Sequence, residues 1–218
     1  MRSKVVPAAQ TYSYLALRKA VGWIGIVLPL VLIIGDELIF NNNKVLLDIS
    51  LYYYSGMRDV FVGAVCAIAL FLFYYRGYSV LDNITGNIAG FSALGIAWFP
   101  TTEAGPLDFS GKVHFVCAAL FFMSLAFFSI FLFTRRISKP SSQKVTRNRI
   151  YIVCGIVMLI SLFAIIIFFG FFEENHPGSA FVFWAETLAL TAFGISWLTK
   201  GGSLYPDKKT EALSKEKA

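Results

Sequence analysis

Charged side chains are scarce in this chain: Asp, Glu, Lys and Arg supply 15% of its 218 residues, against 57% hydrophobic ones. That balance rules out a disordered chain, which needs the reverse. Cysteine is scarce as well. Cys66, Cys117 and Cys154 are odd in number, have no paired spacing and all lie inside apolar runs. They form neither a disulfide framework nor a zinc-ligand set, and read as small packing residues. There are only two histidines, His114 and His176. Only His114 falls within an apolar run, so bis-His haem ligation inside a membrane lacks its second ligand. No Gly-rich phosphate loop, zinc-protease helix or Gly-x-Ser-x-Gly elbow occurs, which disfavours soluble-type hydrolase and nucleotide chemistry.

Long apolar runs fill the space these absences leave. There are six, at residues 20–40, 60–75, 80–100, 113–134, 150–172 and 179–199. A hydrocarbon core of about 30 Å takes about 20 apolar residues in a helix. Buried helices of soluble domains are shorter and are not apolar on every side six times in succession. The expected fold is all-α: one polytopic membrane domain, a bundle of six transmembrane helices over residues 20–200. A cytoplasmic lead (1–19) precedes it and a disordered cytoplasmic tail (201–218) follows.

Charge sets the expected orientation. With the N-terminus inside, 16 of the 19 basic residues face the cytoplasm, and only Lys44, Arg58 and Lys112 lie outside. This is the positive-inside asymmetry, and it places both termini in the cytoplasm. The net charge of +6 is thereby explained by topology, so a nucleic-acid partner is not expected. Trp23 and Trp197 then fall near the inner interface, and Trp98 and Trp184 near the outer one, where indole rings prefer to sit. The first run is too long for a signal-peptide core and reads as a signal anchor.

Between the runs, residues 41–58 form the longest outer connection. Its apolar, aromatic middle (46–54) is expected to pack on the outer membrane face. Gly105-Pro106 marks a turn, and residues 137–148 read as a flexible inner loop. Residues 93–98 and 192–197 match at four of six positions, a weak hint of an inverted repeat.

Polar residues within the runs form two layers. Charges in a bilayer are costly, from about 2.5 kcal/mol at a helix centre, and usually face partners. The outer layer holds Asp36, Glu37, Arg58, Asp59, His114 and Glu186. A bundle can converge these on one cavity open to the outside, with Ser50, Tyr53, Tyr54 and Ser55 closing it from above. A carboxylate beside histidine is a general-base pair, and one histidine with two or three carboxylates can hold a divalent metal and a water. The inner layer is Asp82, Asn83, Thr85 and Asn87. Asn83 and Asn87 share a helix face with Gly90, which suits interhelical packing or a gate.

The segments SLYYYSGMRDVFVG (50–63), 82–100 ending in WFP, 114–133, 147–156 and FWAETLALTAFGISWLTKG (183–201) resemble a bacterial family of six-span membrane proteins known mainly as a domain of unknown function. The resemblance implies the six-span fold and a bacterial inner membrane. It brings no activity, cofactor or catalytic residue. In topology alone the layout is similar to the DRAM/Sfk-type six-span proteins. The Ser/Asp/three-His pattern of ceramidase-like membrane hydrolases is not matched.

Three readings of function follow. In the first, a small intramembrane enzyme acts on a lipid or lipid-linked substrate through an outer-leaflet polar cavity. His114 and Glu186 are then acid/base groups or metal ligands, with Asp59 orienting His114 and serving as a third ligand. In the second, a proton- or ion-coupled transporter uses Glu186 as its protonatable site and Asp82 and Asn87 as an inner gate. The third is an accessory subunit without chemistry. The lipid bilayer is the one partner expected in all three, and oligomeric state is open.

Overall fold

Residues 8–42, 44–135 and 141–206 are described by the computed structural model, with side chains from Tyr14 onward. Among them are six long helices: α1 (Ala8–Phe40), α2 (Arg58–Tyr74), α3 (Val80–Trp98), α4 (Phe109–Phe127), α5 (Ser142–Phe171) and α6 (Phe181–Lys200). No strand occurs among the described residues. The fold is all-α. Four helices, α1, α4, α5 and α6, are long and apolar enough to cross a membrane. The other two fall short for different reasons. Helix α2 has only 17 residues, about 26 Å of rise. Helix α3 has 19 but includes Asp82, Asn83 and Asn87. Large apolar side chains lie exposed along the outside of the bundle, among them Leu38, Phe91 and Phe163. Such a surface suits lipid rather than water.

Several boundaries differ from the expectation. Helix α1 starts at Ala8 and runs unbroken through most of the expected cytoplasmic lead and through Pro29. Helix α5 starts at Ser142, so the end of the expected inner loop is its first turns, capped by the Ser141 hydroxyl on the Lys144 amide. Residues 137–140 of that loop, residues 1–7 of the lead and residues 207–218 of the tail lie outside the described residues. Helix α4 passes into one π-helical turn at Phe128–Leu132.

Close packing has identifiable causes. Helices α1 and α6 cross at two glycines. A Cβ on Gly22 would sit 2.9 Å from the Gly194 carbonyl oxygen, so only hydrogen atoms fit between the backbones. Small residues allow such approaches in lipid, where van der Waals packing drives association. Ser129 of the π turn and Ser196 of α6 share a buried hydrogen bond of 2.7 Å. Near the end of the bundle that holds Lys200, Trp197 is fully buried, with Phe71 and Tyr75 at 5.1 Å and Phe133 at 5.3 Å between ring centroids. The sequence placed Trp197 in an interfacial belt. Its burial follows from packing, because α6 is central, touching both α1 and α5 extensively. Trp23, Trp98 and Trp184 are exposed.

The connection between α1 and α2 is partly buried. It tucks into the open end of the bundle as a strap. Ile49 and Tyr52 are buried, and Ser50–Tyr54 form a 3-10 turn. The strap starts where Asn41, at φ 56°, ends α1 in the left-handed region that asparagine tolerates. Asn42 then folds back, its amide on the Asp36 carbonyl and its side chain on the buried Asp36 carboxylate at 2.7 Å.

Candidate functional site

Four segments meet at this end of the bundle: the strap, the α3–α4 loop, the first turns of α4 and the first turns of α6. The α3–α4 loop is built by its own polar groups. Asp108 caps α4 through the Gly111 amide at 2.7 Å and accepts the Thr102 hydroxyl at 2.8 Å. Those two bonds hold the Asp108 carboxyl below the usual range. The Ser110 hydroxyl reaches back to the Pro100 carbonyl. Phe99 ends α3 in an extended conformation, which frees its carbonyl from the helix ladder.

That carbonyl fixes His114. The imidazole is buried, its Nδ1 2.7 Å from the Phe99 oxygen and its Nε2 2.8 Å from Ser50 Oγ. A carbonyl oxygen can only accept, so Nδ1 carries the proton. In the neutral ring Nε2 is then an acceptor, and Ser50 donates to it. The strap thus delivers a serine hydroxyl to a histidine whose tautomer is set by the backbone, an arrangement that activates a hydroxyl as a nucleophile.

Glu186 holds the strap from below. Its Oε2 accepts the Ile49 amide at 2.8 Å, and three residues before it the Phe183 amide donates to the Leu47 carbonyl at 2.9 Å. Asp48, between these anchors, accepts the Leu51 amide at 2.7 Å. Burial nevertheless pushes the Asp48 carboxyl up to about 6. Asp48, Ser50, His114 and Glu186 line one small neck of about 50 Å³ whose other walls are mostly apolar. Above it opens a cleft of about 510 Å³, which shares Asp48, Thr101 and Phe115 with the neck. Below it an apolar pocket of about 40 Å³ is walled by Leu28, Phe61, Val65 and Ile68, and shares Ser50 and Glu186.

The structure brings together two of the three residues expected to form the site. His114 and Glu186 line the same neck. Asp59 does not join them. It is exposed and lines a separate cleft with Tyr53, Arg58 and Trp98. Asp59 follows Arg58, whose guanidinium stacks on Tyr53 at 4.2 Å, at the start of α2. Asp59 therefore neither orients His114 nor ligates with it; the Phe99 carbonyl does the orienting. Among the described residues no three His, Cys, Asp or Glu side chains form a metal-holding group, and both ring nitrogens of His114 already have protein partners. The donor set does not fit the expected metal.

The inner polar residues are likewise redistributed. Asp82 is buried and completes a capping box with Ser79, accepting its amide at 2.9 Å and hydroxyl at 2.7 Å. It also pairs with Arg135 at 2.8 Å. Asn83 is partly buried, whereas Asn87 is exposed. The buried face of α3 runs instead through Asp82, Thr85, Gly86 and Ala89. An inner gate shared by Asp82 and Asn87 has no geometric support, because the two point to different sides of α3.

Ser50 and Asp48 are the members that residue-by-residue reasoning underrated. Ser50 stood in the strap as a cover, with nothing in its sequence neighbourhood to mark a histidine partner 64 residues away. Comparisons with protein-family models, curated proteins and solved structures return no match to this chain.

Proposed function

We propose that this protein spans a bacterial inner membrane six times with both termini in the cytoplasm, and that it is a small enzyme acting on a lipid or lipid-linked ester from the outer leaflet. The charge asymmetry and the lipid-suited outer surface support the topology. The observation that carries the activity is the Ser50–His114 pair, placed in a narrow neck between a wide cleft and an apolar pocket. An amphiphile suits this junction, with its head in the cleft and its apolar part toward Leu28 and Phe61.

The chemistry is acyl transfer. As Ser50 Oγ attacks the ester carbonyl, its proton passes to His114 Nε2. The ester C–O bond then breaks, and the imidazolium returns that proton to the departing alcohol. The acyl group is left on Ser50 for a water or a second alcohol to take, with His114 again accepting the proton. Glu186 is a positioning residue: it fixes the strap segment that bears Ser50. The transporter reading loses support, because Leu72, Leu125, Phe128, Phe193 and Trp197, all nearly or fully buried, fill the bundle between the neck and the inner end.

The test is labelling of purified, detergent-solubilised protein with a fluorophosphonate probe. The wild type is expected to acquire one adduct on Ser50, Ser50→Ala none, and His114→Gln an adduct at least tenfold more slowly. Melting curves of the variants establish that they are folded. A folded wild type that takes no label overturns the enzyme. Topology is tested separately with a membrane-impermeant maleimide on intact cells. Lys44→Cys is expected to react and Ser203→Cys is not.

A further inference from the structure

At the opposite end of the bundle Arg18 of α1 passes beside the end of α6. A Cβ on Gly201 would touch the stems of both Lys19 and Arg18. The Arg18 guanidinium lies 4.3 Å from the Tyr14 ring and 5.4 Å from that of Tyr75. The Lys200 ammonium lies 4.8 Å from the Phe133 ring and 5.4 Å from that of Tyr78. Both cations are therefore held over aromatic faces and partly buried, rather than splayed into water as a topology signal alone would need.

Among the described residues no uncommitted acid offsets Arg18 and Lys200. Arg18, Lys144 and Arg147 all lie near enough to repel the Lys200 charge, and Asp82 is the one acid that attracts it. Asp82 is already engaged by Arg135 and Ser79, and that is the one ion pair among the described residues. The Arg18 Nε is buried and has no hydrogen-bond partner there. Holding the Arg18 and Lys200 charges together in a poorly solvated rim is costly unless an anion joins them.

We infer a binding site for a phosphate-bearing anion at this end of the bundle, with Arg18 and Lys200 as its ligands. Arginine offers a planar fork of donors matched to phosphate oxygens, and lysine adds a point charge. Basic pockets between membrane helices on the cytoplasmic side take anionic headgroups in this way. A lipid headgroup and free phosphate present the same chemistry. The inference is independent of the Ser50–His114 activity, and uses the proposed orientation only to say which leaflet would supply a lipid.

The test is thermal unfolding of delipidated protein in neutral detergent at fixed ionic strength, with phosphatidylglycerol, phosphatidylcholine or inorganic phosphate added. Phosphatidylglycerol is expected to raise Tm by several degrees and phosphatidylcholine to leave it unchanged. Arg18→Gln and Lys200→Gln are each expected to halve the rise or better. Arg149→Gln, which removes an exposed charge of α5, should leave it intact. Arg18→Lys should restore only part of it. An equal rise with inorganic phosphate assigns the site to a free anion; a rise with the lipid alone assigns it to a headgroup. A wild type that does not distinguish phosphatidylglycerol from phosphatidylcholine, and does not respond to phosphate, overturns the site. So does an equal loss in Arg149→Gln.

Discussion

Glu186 of α6 accepts the backbone amide of Ile49, a residue 137 positions earlier in the chain, at 2.8 Å. One side chain thereby secures the segment that presents Ser50 to His114. An amide left unbonded in a buried strap costs about 1–3 kcal/mol. Glu186→Ala is expected to lose stability by that amount in thermal melts and to label poorly with the fluorophosphonate. Glu186→Gln keeps an acceptor oxygen for Ile49 and should retain most of both.

The Asp48 carboxyl supplies a pH dependence. Its pKa in the folded protein is about 6, raised by burial from 3.8. The folded state thus binds more protons than the unfolded state between those values, so stability falls as pH rises through that window and levels off above it. The loss is on the order of 3 kcal/mol. Asp48→Asn cannot ionise, and its melting temperature should fall less than that of the wild type between pH 4 and pH 7. Parallel profiles for the two proteins would show that Asp48 is not buried in this way.

Asp82 and Arg135 should respond unequally to substitution. Asp82 is 1% exposed and Arg135 is 34% exposed. Removing the arginine strands a buried carboxylate, whereas removing the carboxylate frees a cation that can turn to water. Arg135→Gln is expected to destabilise more than Asp82→Asn, by about 1–2 kcal/mol after allowance for partial solvent screening. Paired melts of the single and double variants read the coupling directly.

The α1–α6 crossing offers a purely steric prediction. In Gly22→Ala the new methyl meets the Gly194 carbonyl oxygen and Leu198. Backbone cannot yield as a side-chain tip does, so the helices must part. Overpacking of this kind costs about 1–3 kcal/mol. Gly63→Ala, where no atom lies within 4 Å of the new methyl, is the control and should melt with the wild type.

Six helices were legible in the sequence because hydrophobic runs of helical length leave few alternatives. Their ends were less so. The expected start of α5 was eight residues late, since Lys144, Arg147 and Arg149 lowered the local hydropathy without interrupting the helix. His114 and Glu186 stood out as ionisable groups in apolar runs, and they do line one neck. Asp59 stood out for the same reason and misled, because sequence gives depth along a helix but not rotation about it. Asn87 misled likewise. Ser50 carried no signal at all: its importance comes from the strap's path into the bundle, and that path depends on bonds to α6.

Those bonds have a consequence for biosynthesis. A ribosome emits this polypeptide from its amino end, and the strap leaves the tunnel some 130 residues before Phe183 and Glu186 do. Until the final helix inserts, Ser50 has no fixed seat opposite its imidazole. If Ser50 is the nucleophile proposed above, a nascent or truncated protein that stops short of residue 181 would already hold both side chains and yet be inert, and the cell would meet no reactive serine before assembly is complete.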